Sequence, residues 1–370
     1  MTAAIHRSGK FDTVIIGGGV LGLWAGRHAI KRNERVLLLE KRKIGSGASG
    51  GFLGALMPHM PDSWNRKKQF QFDGLTSLAE TVAELEKETG IDCGYRRCAR
   101  LMPLPHEKLL PQVQRRIDGA NEYWQGKFQM RVDDAGQHSD WLSSQIARYG
   151  VQHDTISARI NPRAYVSALE AFVRQGAEVQ DEAEVVSIEC SSEGQGNAGG
   201  IVHLSDGQKY HAEKIIIANG WEAYNLLQPM MGQFNDGQPL GRGVKGQAVL
   251  VQYDHDDTLP IIYHDGTYIV PHSNNRIAIG STSINDWQTS KTADPSAFDP
   301  DDLWFYQKAL NLVPALTDAP IIERWAGVRP RNTLKGRGTE PWFGPVPDYP
   351  GLIALIGGFK ITLGIAHMPV

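Results

Sequence analysis

"VIIGGGVLGLWAGRHAIKRNERVLLLE", residues 14–40, places three consecutive glycines between an apolar strand-like run and a helix-compatible one, then closes on a carboxylate. Glycine weakens both helices and strands, so a cluster of it in a well-packed element needs a reason. Gly17, Gly19 and Gly22 form G-x-G-x-x-G, with Val14–Ile16 as a strand before them and a helix from Leu21 to Arg32 after them. The first glycine permits a tight turn. The second lets a pyrophosphate approach the backbone, and the third lets helix and strand pack closely. The helix start offers unpaired N–H groups and a partial positive charge to phosphates. Glu40, eighteen residues after Gly22, ends a second strand (35–40) and can accept hydrogen bonds from a ribose. The βαβ opening predicts a parallel sheet and dinucleotide binding. The plainer alternative is a structural turn with Glu40 as a solvated strand end.

The rest of the chain frames that unit. Its 370 residues suffice for two domains, and 41% hydrophobic with 21% charged residues is the composition of a globular protein with a sizeable core. A formal charge of −3 gives no global argument for nucleic acid or an anionic membrane. No signal sequence or spanning segment is evident, so a cytoplasmic location is expected. Cys93, Cys98 and Cys190 are too few for a disulfide framework and lack zinc spacing, so they are expected to be reduced, with no metal.

After a glycine-rich loop (45–59), Leu75, Leu78, Val82 and Leu85 recur at helical spacing and Gly90 ends that helix. Residues 161–180 predict a helix with Pro162 in its first turn, a stop at Gly176 and a strand beyond. Residues 183–189, 200–212 and 213–220 predict further strands. From 245 to 283, strands follow one another without helices between them, which predicts an antiparallel sheet in a separate subdomain. Residues 294–314 predict a capped helix, and 351–358 a strand entering another glycine turn. The expected fold class is α/β with two domains (α+β in arrangement), a Rossmann-like nucleotide-binding domain and a mixed, largely antiparallel substrate domain. The first takes 1–90, 155–235 and 325–370, and the second 91–154 and 236–324.

The first motif does not separate NAD from FAD. The second glycine loop, set so soon after Glu40, and the turn Gly357–Gly358 favour an extended FAD. No second strand–G-x-G-x-x-G–helix unit is read for a nicotinamide. Seven stretches in order then resemble the FAD-dependent D-amino-acid oxidase superfamily, most closely its glycine oxidases. They are "VIIGGGVLG…LLLEK", "GASGGFLGA", "IIIANGWEA", "VKGQAV", "YHDGTYIVPHSNNRIAIGST", "ERWAGVRPR" and "GGFKITLG".

The resemblance implies that FAD lies across Gly17, Gly19, Val20, Leu21 and Gly22, with Glu40 and Lys41 at the ribose. Gly45, Ser46, Gly50, Gly51 and Phe52 would run towards the flavin, and Val185 would meet the adenine through its backbone. Ala218, Asn219 and Gly220 would pack beside the cofactor, and Gly358, Phe359, Lys360, Ile361, Thr362 and Leu363 would close over it. Arg329 would grip the substrate carboxylate with its guanidinium fork, joined by the Tyr268 hydroxyl and Lys360. Lys360 departs from the arginine common in glycine oxidases and matches sarcosine oxidases. Thr362 stands where the family often has glycine, and Gly358 where it often has histidine. No cysteine follows Cys190, so the FAD is expected to be non-covalent. His59, His264 and His272 are given no role.

The family's last glycine turn opens a helix aimed at the flavin. This sequence stops at Val370, about two turns on, and a chain ending there is expected to bind FAD less tightly. The implied reaction is oxidation of the C–N bond of glycine, sarcosine or a D-amino acid to the imino acid, flavin taking the hydride and oxygen becoming hydrogen peroxide. The residues offer no obvious general base, and none is assigned. The expected partners are that small amino acid and oxygen or another electron acceptor, with a homo-oligomer compatible. A dehydrogenase using a quinone or carrier is the nearest alternative. "GASGGFLGALMP" and "DYPGL" also resemble the oxidase that trims carboxymethylaminomethyl groups on tRNA uridine, a reading the net charge does not support. A flavin-binding protein without turnover is a further alternative.

Overall fold

The structure is a computed structural model that describes residues 9–190, 199–289 and 293–358. Its first sheet grows outward from the opening strand. Lys10–Ile16 lies parallel to Val36–Leu39 on one side and to Lys209–Ile217 on the other, and Ala177–Gln180 extends the parallel run beyond Val36–Leu39. Lys209–Ile217 is one strand across the expected break at 212/213. Its first half pairs antiparallel with Gly200–Leu204, which carries Val185–Cys190. Its second half pairs parallel with Leu352–Ile356, which carries Trp342–Pro345.

Alternation along the central strands buries both faces. Ile15, Val36, Leu38 and Ile216 enter one apolar cluster, while Val14, Ile16, Leu37 and Leu39 enter another. Helices Val20–Lys31, Arg66–Thr89 and Pro162–Gly176 cover the first face, and Ala223–Met231 covers the second. Local chemistry sets their ends. Asn161 Oδ1 accepts from the amides of Arg163 and Ala164 at 3.2 Å, with Pro162 opening the helix, a cap worth ~1 kcal/mol. Gly90 closes Arg66–Thr89 at φ +73°, with its N–H bonded to Glu86 O.

The second sheet runs in the order Ile321–Asn332, Gly241–Gln252, Arg276–Gly280, Thr267–His272, Ile261–His264, Arg100–Pro103, Val151–Asp154 and Met130–Asp133. It is antiparallel except where Ile261–His264 meets Arg100–Pro103 in parallel, because the chain reaches that edge from a distant segment. One face packs Val249, Val251, Ile277 and Ile279 under helix Trp304–Leu312. The other face packs Ala248, Leu250, Val270 and Ala278 against Phe52, and Leu53 packs against the same cluster. The glycine-rich loop is therefore clamped between the two sheets. It contains a short 3-10 turn, Ala48–Gly50, and a two-residue strand, Ala55–Leu56.

One expectation needs correction. The helix expected over 294–314 exists only as Trp304–Leu312. Upstream, Asp294 Oδ1 accepts from Ser296 N at 2.7 Å and Asp299 Oδ1 from Asp301 N at 3.0 Å. These side-chain turns, with Pro295 and Pro300, divert the backbone from the helix. Ile321–Asn332 pairs along its length with Gly241–Gln252 in the second sheet.

Candidate active site

A cavity of about 1610 Å³ opens between the sheets, with the glycine turn at one end and Tyr268 and Arg329 among its other walls. At the glycine turn the backbone leaves no room for side chains. Gly17 sits at φ +107°, and a Cβ there would lie 2.6 Å from Asn219 Cα. A Cβ on Gly22 would lie 1.9 Å from Gly17 O, so helix Val20–Lys31 approaches its strand to backbone contact. Gly19 is the N-cap and offers no side-chain cap. The helix amides therefore face the cavity with little protein in front, although Ser49 Oγ accepts from Val20 N at 3.0 Å. Glu40 is oriented by two backbone amides, Gly18 N at 2.8 Å and Arg42 N at 2.9 Å. Lys41 pairs with Glu184 at 2.9 Å, and that bond raises its pKa.

Gly17, Gly19, Val20, Leu21, Glu40, Lys41, Gly45, Ser46 and Val185 line the cavity, as do Ala218, Asn219, Gly220 and Gly358. The Asn219 side-chain oxygen is buried and has no hydrogen-bond partner among the described residues. An orphaned acceptor beside bare helix amides suits a ligand carrying both donors and anionic oxygens, which is the chemistry of FAD. Gly22, Gly50, Gly51 and Phe52 stand behind the wall. Gly50 and Gly51 allow the loop to fold over Gly45 O and the Trp325 ring, and Phe52 is buried against the second sheet. Phe359, Lys360, Ile361, Thr362 and Leu363 lie outside the described residues.

At the second sheet, Arg329 is held by Thr282 O at 2.6 Å from Nη2, with Ser283 Oγ at 3.2 Å from Nη2 and Ser281 Oγ at 3.3 Å from Nη1. Burial lowers the guanidinium pKa to about 10, and the nearby Tyr268 acts in the opposite sense. Burial and the neighbouring Tyr263 push the Tyr268 hydroxyl up to about 12, so it remains a donor through the neutral range. Tyr263 and Tyr268 are cross-strand partners in a hairpin, with ring centroids 4.7 Å apart. Gly246 matters equally, because a Cβ there would lie 2.6 Å from Arg329 Nη2.

Ser49, Tyr263, Gly246 and the 281–283 segment were not singled out by sequence reasoning. Tyr263 was within reach, since a turn at Asp265–Gly266 sets it opposite Tyr268. The partners of Arg329 carried no local signal. His59 lines the cavity, whereas His272 is buried behind it, with Nε2 3.2 Å from Leu53 O.

Burial lowers His272 to about 4 from 6.5, with Leu53 opposing and Arg159 assisting. Above about pH 6.5 the ring is neutral whether folded or unfolded. Below that, the unfolded chain binds a proton that the folded chain refuses until about pH 4, so stability falls across the window, on the order of 3 kcal/mol in all. Unfolding midpoints measured from pH 7 to pH 4 should show this loss, and His272→Gln should flatten it. An equally steep fall in the variant would assign it to other groups.

A family model described as DAO, FAD dependent oxidoreductase, matches residues 12–368. Glycine oxidase of Geobacillus kaustophilus (strain HTA426) is 28% identical over 371 residues, covering 95% of this chain and 88% of that protein. Glycine oxidase of Bacillus subtilis (strain 168) is 24% identical over 358 residues, with 95% and 88% covered. The crystal structure of glycine oxidase from Geobacillus kaustophilus superposes with a TM-score of 0.81 at 24% identity, covering 97% of this chain and 92% of that one. Among the described residues, no helix is long and apolar enough to cross a membrane.

Proposed function

This chain belongs to the DAO family of FAD-dependent oxidoreductases, and from that premise we propose that it oxidises the C–N bond of a small amino acid (glycine, sarcosine or a D-amino acid) to the imino acid and passes the electrons to oxygen, forming hydrogen peroxide. The observation that carries the reading is Arg329, a guanidinium set in the wall of the cavity that begins at the glycine turn. FAD, held non-covalently, supplies the hydride acceptor.

The chain's own residues bind and orient. Arg329 takes the substrate carboxylate as a planar fork and thereby sets the direction of the α-carbon. The Tyr268 hydroxyl donates to the same carboxylate. Ser281, Thr282 and Ser283 keep the guanidinium from turning. The glycine turn and the helix N-terminus at Gly19 take the diphosphate, and Glu40 takes the ribose. Lys360, with Phe359 and Ile361 to Leu363, belongs to the same proposal through the family resemblance.

Anaerobic mixing of the purified yellow protein with glycine, sarcosine, D-amino acids and L-amino acids tests the reading. Bleaching of the flavin by glycine, sarcosine or a D-amino acid is expected, followed on admitting air by one peroxide for each amino acid oxidised. Reduced flavin that persists in air would instead make the protein a dehydrogenase using another acceptor.

Gly246→Ala provides a finer test of the carboxylate site. Its new methyl would press on the Arg329 guanidinium, the far end of a side chain, at 2.6 Å, so the fold should tolerate it while the fork is pushed off its bonds to residues 281–283 and re-aimed. A rise of about tenfold or more in KM is expected, at unchanged FAD content. An unchanged KM would place the carboxylate elsewhere.

A further inference from the structure

Off the cavity wall, three potential ligands converge on the outer edge of the second sheet. Asp133 ends the edge strand Met130–Asp133, His138 ends the following 3-10 turn Ala135–His138, and His153 lies on the neighbouring strand Val151–Asp154. None of the three lines the cavity. His153 Nδ1 is 2.6 Å and His138 Nε2 2.9 Å from the same oxygen, Asp133 Oδ2. Asp133 is 6% exposed, and the histidine side chains are 13% (His153) and 17% (His138) exposed.

The hydrogen-bond pattern is internally inconsistent. Arg131 Nη2 lies 2.8 Å from His153 Nδ1, and its Nε donates to Asp133 Oδ1 at 2.6 Å. To donate to Asp133, Nδ1 must carry a proton, which then faces a guanidinium N–H that can only donate. To accept from Arg131, Nδ1 must be bare, and its lone pair then faces a carboxylate oxygen. One contact is unfavourable in either tautomer. A cation removes the conflict, because both imidazole lone pairs and the carboxylate oxygen can point at it while the half-exposed Arg131 side chain swings into solvent.

We propose that Asp133, His138 and His153 form a binding site for a divalent transition metal of the zinc class, which ties the sheet-edge strand, the turn after it and the adjacent strand together. Two imidazoles and a carboxylate suit zinc, leaving a coordination position for water. Ligation uses Nε2 of His138 and Nδ1 of His153. The two nitrogen–oxygen distances need to open only from 2.6 and 2.9 Å to roughly 3.3 Å, the edge of a tetrahedral site with bonds near 2.0–2.1 Å, and all three ligand atoms already lie within 4.8 Å of one another. The geometry of the turn helps hold His138 in place, since Asp134 Oδ1 accepts from Gly136 N at 2.7 Å.

Calorimetric titration of untagged, FAD-loaded protein with Zn²⁺ tests this. One equivalent should bind, His138→Ala and His153→Ala should each weaken binding at least about tenfold, and Arg131→Gln should tighten it by removing the competing cation. Arg131→Gln keeps all three ligands, so its result does not depend on the fold surviving their loss. Absence of stoichiometric binding at a tenfold excess of zinc would overturn the proposal. So would binding that survives both histidine substitutions, or an affinity that Arg131→Gln leaves unchanged or lowers.

Discussion

Arg329→Ala should lower kcat/KM by about 10²- to 10⁴-fold while the protein remains yellow. Two charge-assisted hydrogen bonds to a carboxylate, at ~1.5–3 kcal/mol each, account for that range. The guanidinium also braces Ser281, Thr282 and Ser283, so flavin content and unfolding midpoint must be measured alongside the kinetics. Arg329→Lys should fall between wild type and alanine, because it keeps the charge but loses the planar fork. The most direct readout is the rate of anaerobic flavin bleaching as a function of substrate concentration. If alanine at 329 leaves that dependence intact, the carboxylate is bound by other groups and the proposed orientation of the substrate is wrong.

Gly22→Ala should yield colourless protein. Its methyl group would occupy space 1.9 Å from Gly17 O, a backbone atom that cannot turn aside, so helix Val20–Lys31 must move away from its strand. That movement carries the amides of residues 19–21 with it and costs roughly 3 kcal/mol or more of stability. Gly26→Ala is the internal control. It lies one turn further along the same helix, and its Cβ would meet the Val173 side chain at 3.2 Å, a contact that rotamer adjustment relieves. Gly26→Ala should therefore retain FAD at close to one equivalent. The ratio of flavin to protein absorbance after reconstitution distinguishes the two. Full occupancy in Gly22→Ala would mean that the glycine turn does not seat the diphosphate.

The elements that read correctly from the sequence are those governed by near neighbours. The strand–glycine–helix–strand unit is specified by periodicity and by backbone sterics within a few residues, and the Asn161 cap and the Gly90 stop act within one turn. The reading failed where side chains competed with the backbone, as at Asp294 and Asp299, whose turns shortened the expected helix to Trp304–Leu312. Apolar content alone gave no warning there.

The sequence by itself determined the strand–glycine turn–helix unit, since it is built from contiguous backbone and its glycines announce it. Only the tertiary structure decided how the other wall is made. Arg329 gains its direction from residues 281–283 and from the space above Gly246, positions brought together by pairing between strands that are far apart in the chain. Asp133, His138 and His153 likewise meet through a turn and a cross-strand register. Such juxtapositions depend on which strands become neighbours, and that is settled by burial of the whole sheet rather than by any local run of residues.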